Sequence, residues 1–385
     1  MAPYQVRVTG KASEIDLADW NACAGTGHPF ALAEFHRALE ASGSATSRTG
    51  WQPLHLVADG ADGRPAGIMP CYLKTHSQGE YVFDHSWADA FERAGGRYYP
   101  KLQACFPFTP ATGPRLLLRD ADADAGQALI RALEQVCDSN NFSGAHATFL
   151  TPDQQPLFRD AGWLIRTGEQ FHWYNDGYGD FADFLGALSS SKRKQIRKER
   201  ERARAGLDIL HLTGRDLTEA YWDAFWTFYQ DTGARKWGRP YLTRDFFSMI
   251  GEAMGDRVLL MLAVRGRKPI AGALNFIGDE CLYGRYWGAT EEVPFLHFEL
   301  CYYQAIDWAI ANRRARVEAG AQGAHKLARG YRPTPVISAH FIPNPGFRTA
   351  IADFLARETR AVMDEMEWLD AHGPFRRAQD GSVLA

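Results

Sequence analysis

Residues 282–331, LYGRYWGATEEVPFLHFELCYYQAIDWAIANRRARVEAGAQGAHKLARGY, decide the fold. The stretch predicts a strand ending at Arg285–Trp287, a turn, a long helix, a second strand at 315–318 and then a polar turn. Strand, helix and parallel strand make one crossover unit, and such units bind ligands at the carboxyl ends of their strands. Polar side chains gather at both ends. Arg285, Tyr286, Trp287, His297 and Glu299 surround the first, and Glu318, Gln322, His325, Lys326 and Arg329 surround the second.

Around this centre, 385 residues are long for one core and predict two domains. An apolar content of 45% excludes a disordered chain, and a net charge of −3 argues against a protein built to hold DNA. The six cysteines, at 23, 71, 105, 137, 281 and 301, form no CxxC pair. That pattern predicts a reduced, cytoplasmic protein with neither disulfides nor a metal site. Glu14, Asp16 and Asp19 stand where a signal peptide needs an apolar run, and the longest such run, 258–264, is too short for a bilayer. The expectation is a soluble protein that can still touch the inner-membrane face.

The chain also looks duplicated. A hairpin is predicted at 53–72 and another at 258–277, with Gly67 in RPAGIMP matching Gly272 in KPIAGALNF. Gly162–Trp163 likewise matches Gly330–Tyr331. The offsets are 272 − 67 = 205 and 330 − 162 = 168, so the first half carries 205 − 168 = 37 extra residues. The surplus falls within about 76–115, rich in Asp84, His85, Trp87, Tyr98, Tyr99 and Lys101. Long insertions in compact domains are usually functional, so these six are expected to bind substrate. Helices are predicted at 121–140, 217–232 and 351–369, and a basic helix at 180–205 bridges the halves. The resulting α/β plan is a first domain at 1–175, a linker at 176–206 and a second domain at 207–385.

Glu318 can serve as general base for an attacking amine, or pair with Lys326 or Arg329 to fix the turn. His297 is the other candidate base. Glu299, two positions along the helix, points elsewhere, so one of the two is structural. Arg285 and Lys326 can steady developing negative charge. The bridge SSSKRKQIRKERERAR suits a phosphate-bearing donor, a tRNA end or an anionic membrane, or is simply a solvated helix.

Each half has the order helix, hairpin, strand, helix, strand, which resembles the GNAT acyltransferase fold taken twice. The phrases FDHSWADAFERAGGRYYPKL, QFHWYNDGY, SSKRKQIRKERERA, YGRYWG, LHFELCYYQAIDWAI and EAGAQGAHKLARGY resemble the bacterial FemAB-like family of predicted N-acyltransferases, from about Pro53 to Phe375. The resemblance implies transfer of an acyl group to an amine, and places Lys192, Arg193 and Arg197 near the substrate channel. Its relatives act on cell-wall peptide precursors, and some similar proteins on sphingoid-type amines. One departure stands out: ATEEVPFLHFEL lacks the glycine pair with which GNAT enzymes hold the coenzyme A pyrophosphate. An acyl-thioester, acyl-CoA above all, is the expected donor. Aminoacyl-tRNA is the alternative, and a non-catalytic binding module for a cell-envelope amine is a third reading.

Overall fold

A computed structural model describes residues 4–236, 240–320 and 323–376. The chain divides into two compact units, 1–168 with 335–364, and 169–334 with 365–385. The sequence reading put everything after 207 into the second half. The segment 335–364 instead folds with the first, supplying a strand that pairs with Ala145–Leu150.

In the second unit, strands run across one sheet in the order Asp208–Leu212, Val258–Arg265, Lys268–Ile277, Cys281–Ala289, Arg316–Glu318 and the end of Leu164–Tyr174. The first four are antiparallel neighbours. Cys281–Tyr283 then pairs in parallel with Arg316–Glu318, as a crossover unit requires. The connecting helix carries Leu296, Leu300, Tyr303, Ile306 and Ile310, all buried at helical spacing against Leu282 and Val317 of the two strands. Part of that helix, Glu299–Tyr303, is wound as a π-turn. The segment expected to bridge the halves lies within the second unit as two helices, Phe181–Ala187 and Ser190–Arg204, separated by extended backbone at Leu188 and Ser189. Asp180 caps the first by accepting from the Asp183 amide at 2.8 Å. A helix at Arg244–Met254, unforeseen in the sequence, packs Phe247 against Trp222 and Phe225.

The first unit has its predicted hairpin, His55–Asp59 against Pro65–Met69. Beside it, Trp51–Pro53, Cys71–Lys74, Lys101–Ala104, Ala145–Leu150 and the strand at 335–341 form a second sheet. One face of this sheet, with Cys71, Leu102, Ala104, Ala145, Ala147 and Ala339, packs on the helix Ala123–Ser139. The inserted segment contains a helix, His85–Arg93. Trp87, Ala88 and Tyr98 pack with Phe347 and Ile351 in a separate apolar cluster. Among the described residues no helix is long and apolar enough to cross a membrane.

Candidate functional site

The parallel strands of the second unit stay paired only as far as Tyr283 and Glu318, while the first continues to Ala289. A bulge lies just past that point. Asn275 opposes Gly284 and Leu274 opposes Tyr286, which leaves Arg285 as the extra residue. Bulges re-aim side chains and recur beside active sites. An added Cβ on Gly284 would lie 3.6 Å from the Glu318 carbonyl, so the strands are still close there. One on Gly320 would lie 4.0 Å from Arg285 Nη1, so the guanidinium reaches across the opening.

Lys326 approaches the same place from the turn Ala324–Arg329, donating to the Gly320 carbonyl at 2.7 Å. Two cations thus converge on Gly320. Lys326 is 1% exposed, and among the described residues no carboxylate pairs with it. Burial, aided by the Arg285 charge, pushes its ammonium down to about 7. A lysine so perturbed, beside a strand opening, makes this end of the strands a candidate site.

An aromatic wall extends from the strand end. The Trp287 and His297 rings meet edge-on at 5.3 Å, His297 meets Tyr302 at 5.4 Å, and the Tyr302 hydroxyl bonds His325 Nε2 at 2.8 Å. Tyr302 belongs to the π-turn, a helical defect frequent at functional sites. Nothing in the sequence marked Tyr302, because a tyrosine at helical spacing reads as core.

Several residues expected to contact ligand also have internal partners. Glu318 is buried and accepts from Arg316 Nε at 3.0 Å, with His172 Nε2 4.0 Å away on the neighbouring strand. The sequence offered Lys326 or Arg329 as its partner. Arg316 takes that role because alternate strand residues share a face. Glu299 is fully buried, and receives Arg200 Nε at 3.1 Å and Gln304 Nε2 at 2.7 Å. Arg329 donates to Glu199 and stacks 3.4 Å from the Phe298 ring centre. Arg193 closes the preceding helix by donating to the Gly186 and Leu188 carbonyls. Tyr286 packs on Tyr229, ring centres 5.2 Å apart. Lys192 is half-buried, and the exposed Arg197 lines a shallow cleft of about 410 Å³ with Phe181, Leu185 and Arg204. Gln322 lies outside the described residues.

The first unit gathers most of the insertion residues into a separate buried cluster. Lys101 Nζ donates to Ser77 Oγ at 2.9 Å, Glu80 Oε2 at 2.7 Å and Asp84 Oδ2. Tyr98 donates to the same Asp84 oxygen at 2.6 Å, and the Tyr99 hydroxyl bonds Ser77 Oγ at 2.8 Å. Against the opposing effect of burial, Lys101 holds Asp84 well below the usual carboxylate range, and the two acids hold Lys101 up. His85 stays outside, exposed and stacked on Phe83. The sequence missed Lys74 and Glu80, whose Nζ and Oε1 lie 3.8 Å apart, and the buried pair His146 and His340. Isolated charges give no sign in a sequence that they will be buried.

No curated protein matches the sequence. Among solved structures the chain is similar to FemX (11% identity, TM-score 0.54, 90% of this chain and 100% of that one). It is also similar to L-PGS from Bacillus licheniformis (11%, 0.51, 87% and 98%). A third likeness is to the C-terminal domain of a putative lysylphosphatidylglycerol synthetase from Agrobacterium fabrum (11%, 0.53, 90% and 97%). At such identity these likenesses show the fold alone, which this chain shares over most of its length. Residues 11–377 match one family throughout, and the chain belongs to it: the FemAB-like family, described as peptidoglycan biosynthesis/recognition.

Proposed function

We propose that the protein transfers an acyl group from an acyl-thioester, such as acyl-CoA, to an amine on a lipid or cell-envelope precursor. The observation that supports this most is the meeting of Arg285 and Lys326 at Gly320, where the parallel strands open. Paired cations aimed at one point stabilise an oxyanion as an amine attacks a carbonyl carbon. In this reading the ammonium first loses a proton to His297. Its nitrogen then bonds the acyl carbon, the carbon–sulfur bond breaks, and the nitrogen's second surplus proton passes to the departing sulfur, which leaves as the thiol. Glu318 is already committed to Arg316, which leaves the proton acceptor's role to His297. Trp287, His297 and Tyr302 supply an apolar wall for the acyl chain. The family's description favours a cell-envelope acceptor, and the fold shared with a putative lysylphosphatidylglycerol synthetase fits a lipid one. Work at such an acceptor suits a cytoplasmic protein in peripheral contact with the inner membrane.

A second reading, with aminoacyl-tRNA as donor, draws on a different observation. Left-handed Phe295 precedes the helix after the first strand, where no side chain caps it, and Glu291 and Glu292 lie close before it. That is a poor cradle for pyrophosphate. Lys194, Arg197, Lys198 and Arg202, by contrast, are exposed along the basic helix. Thermal shift with acyl-CoA and salt-dependent binding of charged tRNA separate the two readings. Stabilisation by acyl-CoA supports the thioester donor, and a steep salt slope with tRNA overturns it. If neither donor gives product with any amine and Lys326→Ala leaves the cellular role intact, the chain is a binder.

A further inference from the structure

The second sheet of the first unit buries a polar face as completely as its apolar one. Trp51, Lys74 and Lys101 are cross-strand partners at one level, and Tyr72, Gln103, His146 and His340 at the next. None of them is more than 2% exposed. The segment with Ser77, Glu80, Asp84 and Trp87 lies against this face. Interiors rarely tolerate such a layer unless each polar atom has a partner.

Here many have none. Glu80 Oε1, Asp84 Oδ1, Gln103 Oε1, Trp51 Nε1, Trp87 Nε1, His146 Nε2 and His340 Nε2 are all buried without a hydrogen bond. The two histidines share one bond, Nδ1 to Nδ1 at 2.8 Å, so one outer nitrogen carries hydrogen and the other is bare. Two of the atoms left over are carboxyl oxygens. Lys101 has spent its three donors on Ser77, Glu80 and Asp84. Lys74 lies 3.5 Å from the Trp51 ring centre, donates to the Gln78 carbonyl at 3.3 Å, and stays 3.8 Å from Glu80 Oε1. Among the described residues no group of three His, Cys, Asp or Glu could hold a metal ion. Lys74 sits within ion-pair range of Glu80 Oε1 without hydrogen-bonding it, so Glu80 Oε1, Asp84 Oδ1 and Gln103 Oε1 are three acceptors with no donor.

We propose that this layer is a binding site for a primary ammonium group, held between Glu80 Oε1 and Asp84 Oδ1 with Gln103 Oε1 as third acceptor. The two indole N–H groups accompany it as donors to whatever oxygen the ligand carries. Burial raises Glu80 to about 7, so an arriving ammonium displaces the proton of the Glu80 carboxyl into solvent. Lys74, which burial lowers to about 7, limits the accumulated positive charge by giving up its own proton. Of the other titratable neighbours, His146 is neutral, pushed by burial down to about 3, and His340 is also far below its ordinary value. Burial lowers His76 as well, and it raises Tyr98 and Tyr99, so all three are neutral at pH 7. The site stands whether or not the second unit is a transferase.

The test uses methylammonium chloride on the full chain, read by the indole N–H resonances of Trp51 and Trp87. Both resonances are expected to shift saturably with methylammonium, and neither with methanol, which lacks the charge. Apparent affinity should rise roughly tenfold between pH 6 and pH 8 as Glu80 gives up its proton. Glu80→Gln should weaken binding at pH 8 by about the same factor. Indoles that do not move, or that respond equally to methanol, mean that only water occupies the layer, and they overturn the proposal. A pH-independent affinity overturns the Glu80 assignment without recourse to the variant, should Glu80→Gln fail to fold.

Discussion

Arg329 and Glu199 form a two-pronged ion pair, with Nη2 3.1 Å from one carboxylate oxygen and 3.0 Å from the other. Both residues are buried, at 6% and 4% exposure, and 130 positions apart. Glu199 also accepts from the Tyr303 hydroxyl in the π-turn. A single carboxylate of the basic helix therefore holds the turn that delivers Lys326. Removing one partner of a buried pair strands the other charge, at a cost of about 3–5 kcal/mol. Glu199→Gln should lose stability on that scale in urea unfolding, whereas the exposed neighbour Lys198→Gln should change it by less than about 0.5 kcal/mol. Equal effects at the two positions would show that the helix is not anchored through Glu199.

Lys326 carries a stability cost that depends on pH, and its sign follows from burial. The folded state holds the lysine proton less tightly than the unfolded chain, with a pKa near 7 in place of 10.5. Below about 7 the folded protein bears a buried cation and the full penalty. Between 7 and 10.5 the unfolded state binds more protons, so this contribution to stability rises with pH. Lys326→Met removes the penalty. The variant should be more stable than the wild type at pH 6, with the advantage shrinking towards pH 10. Denaturant midpoints at the two pH values check this, and a constant difference would mean that the lysine keeps its ordinary pKa.

The same residue should control activity in the opposite sense. If the oxyanion is met by the Lys326 cation, kcat/KM falls as pH rises through about 7. Lys326→Met should lower kcat by 10²–10³, the usual cost of losing one oxyanion donor. Its stability gain then becomes the ordinary trade between function and folding. A variant that is stabilised and fully active would remove Lys326 from the chemistry.

Much of this architecture was legible because its determinants are local. The crossover unit followed from apolar spacing within 282–331, and the duplication from Gly67 and Gly272. Both glycines lie under a helix: a Cβ on Gly67 would sit 3.0 Å from Leu129, and one on Gly272 would sit 2.9 Å from Phe225. What escaped depends on distant partners. Arg200 finds Glu299 at a separation of 99 residues, and His146 finds His340 at 194. The helix His85–Arg93 turns only Trp87 and Ala88 fully inward, too few apolar positions to show a period. Segment 335–364 has the pattern of a strand and a helix, but that pattern does not say which unit it completes.

Gly288 provides the sharpest structural test. It faces Gly272 across the antiparallel pair, on the strand that carries Arg285 and Trp287. A Cβ there would lie 2.1 Å from the Phe228 carbonyl oxygen and 2.3 Å from its carbon, backbone atoms of the helix Glu219–Lys236. A flexible side chain could move aside, but a helix backbone cannot without shifting as a whole. Gly288→Ala should therefore cost at least as much as overpacking a core, about 1–3 kcal/mol or more. The displaced helix would carry Tyr229 off the face of Tyr286, so the bulge that aims Arg285 should loosen too. Gly266→Ala makes the contrast, since an added Cβ there meets nothing within 4 Å and the cost is confined to its positive φ of 64°. The expected result is a larger loss of thermal stability at 288 than at 266, with the proposed acyl-transfer activity reduced only at 288. Equal losses would show that the helix does not lie against this strand as closely as its backbone positions imply.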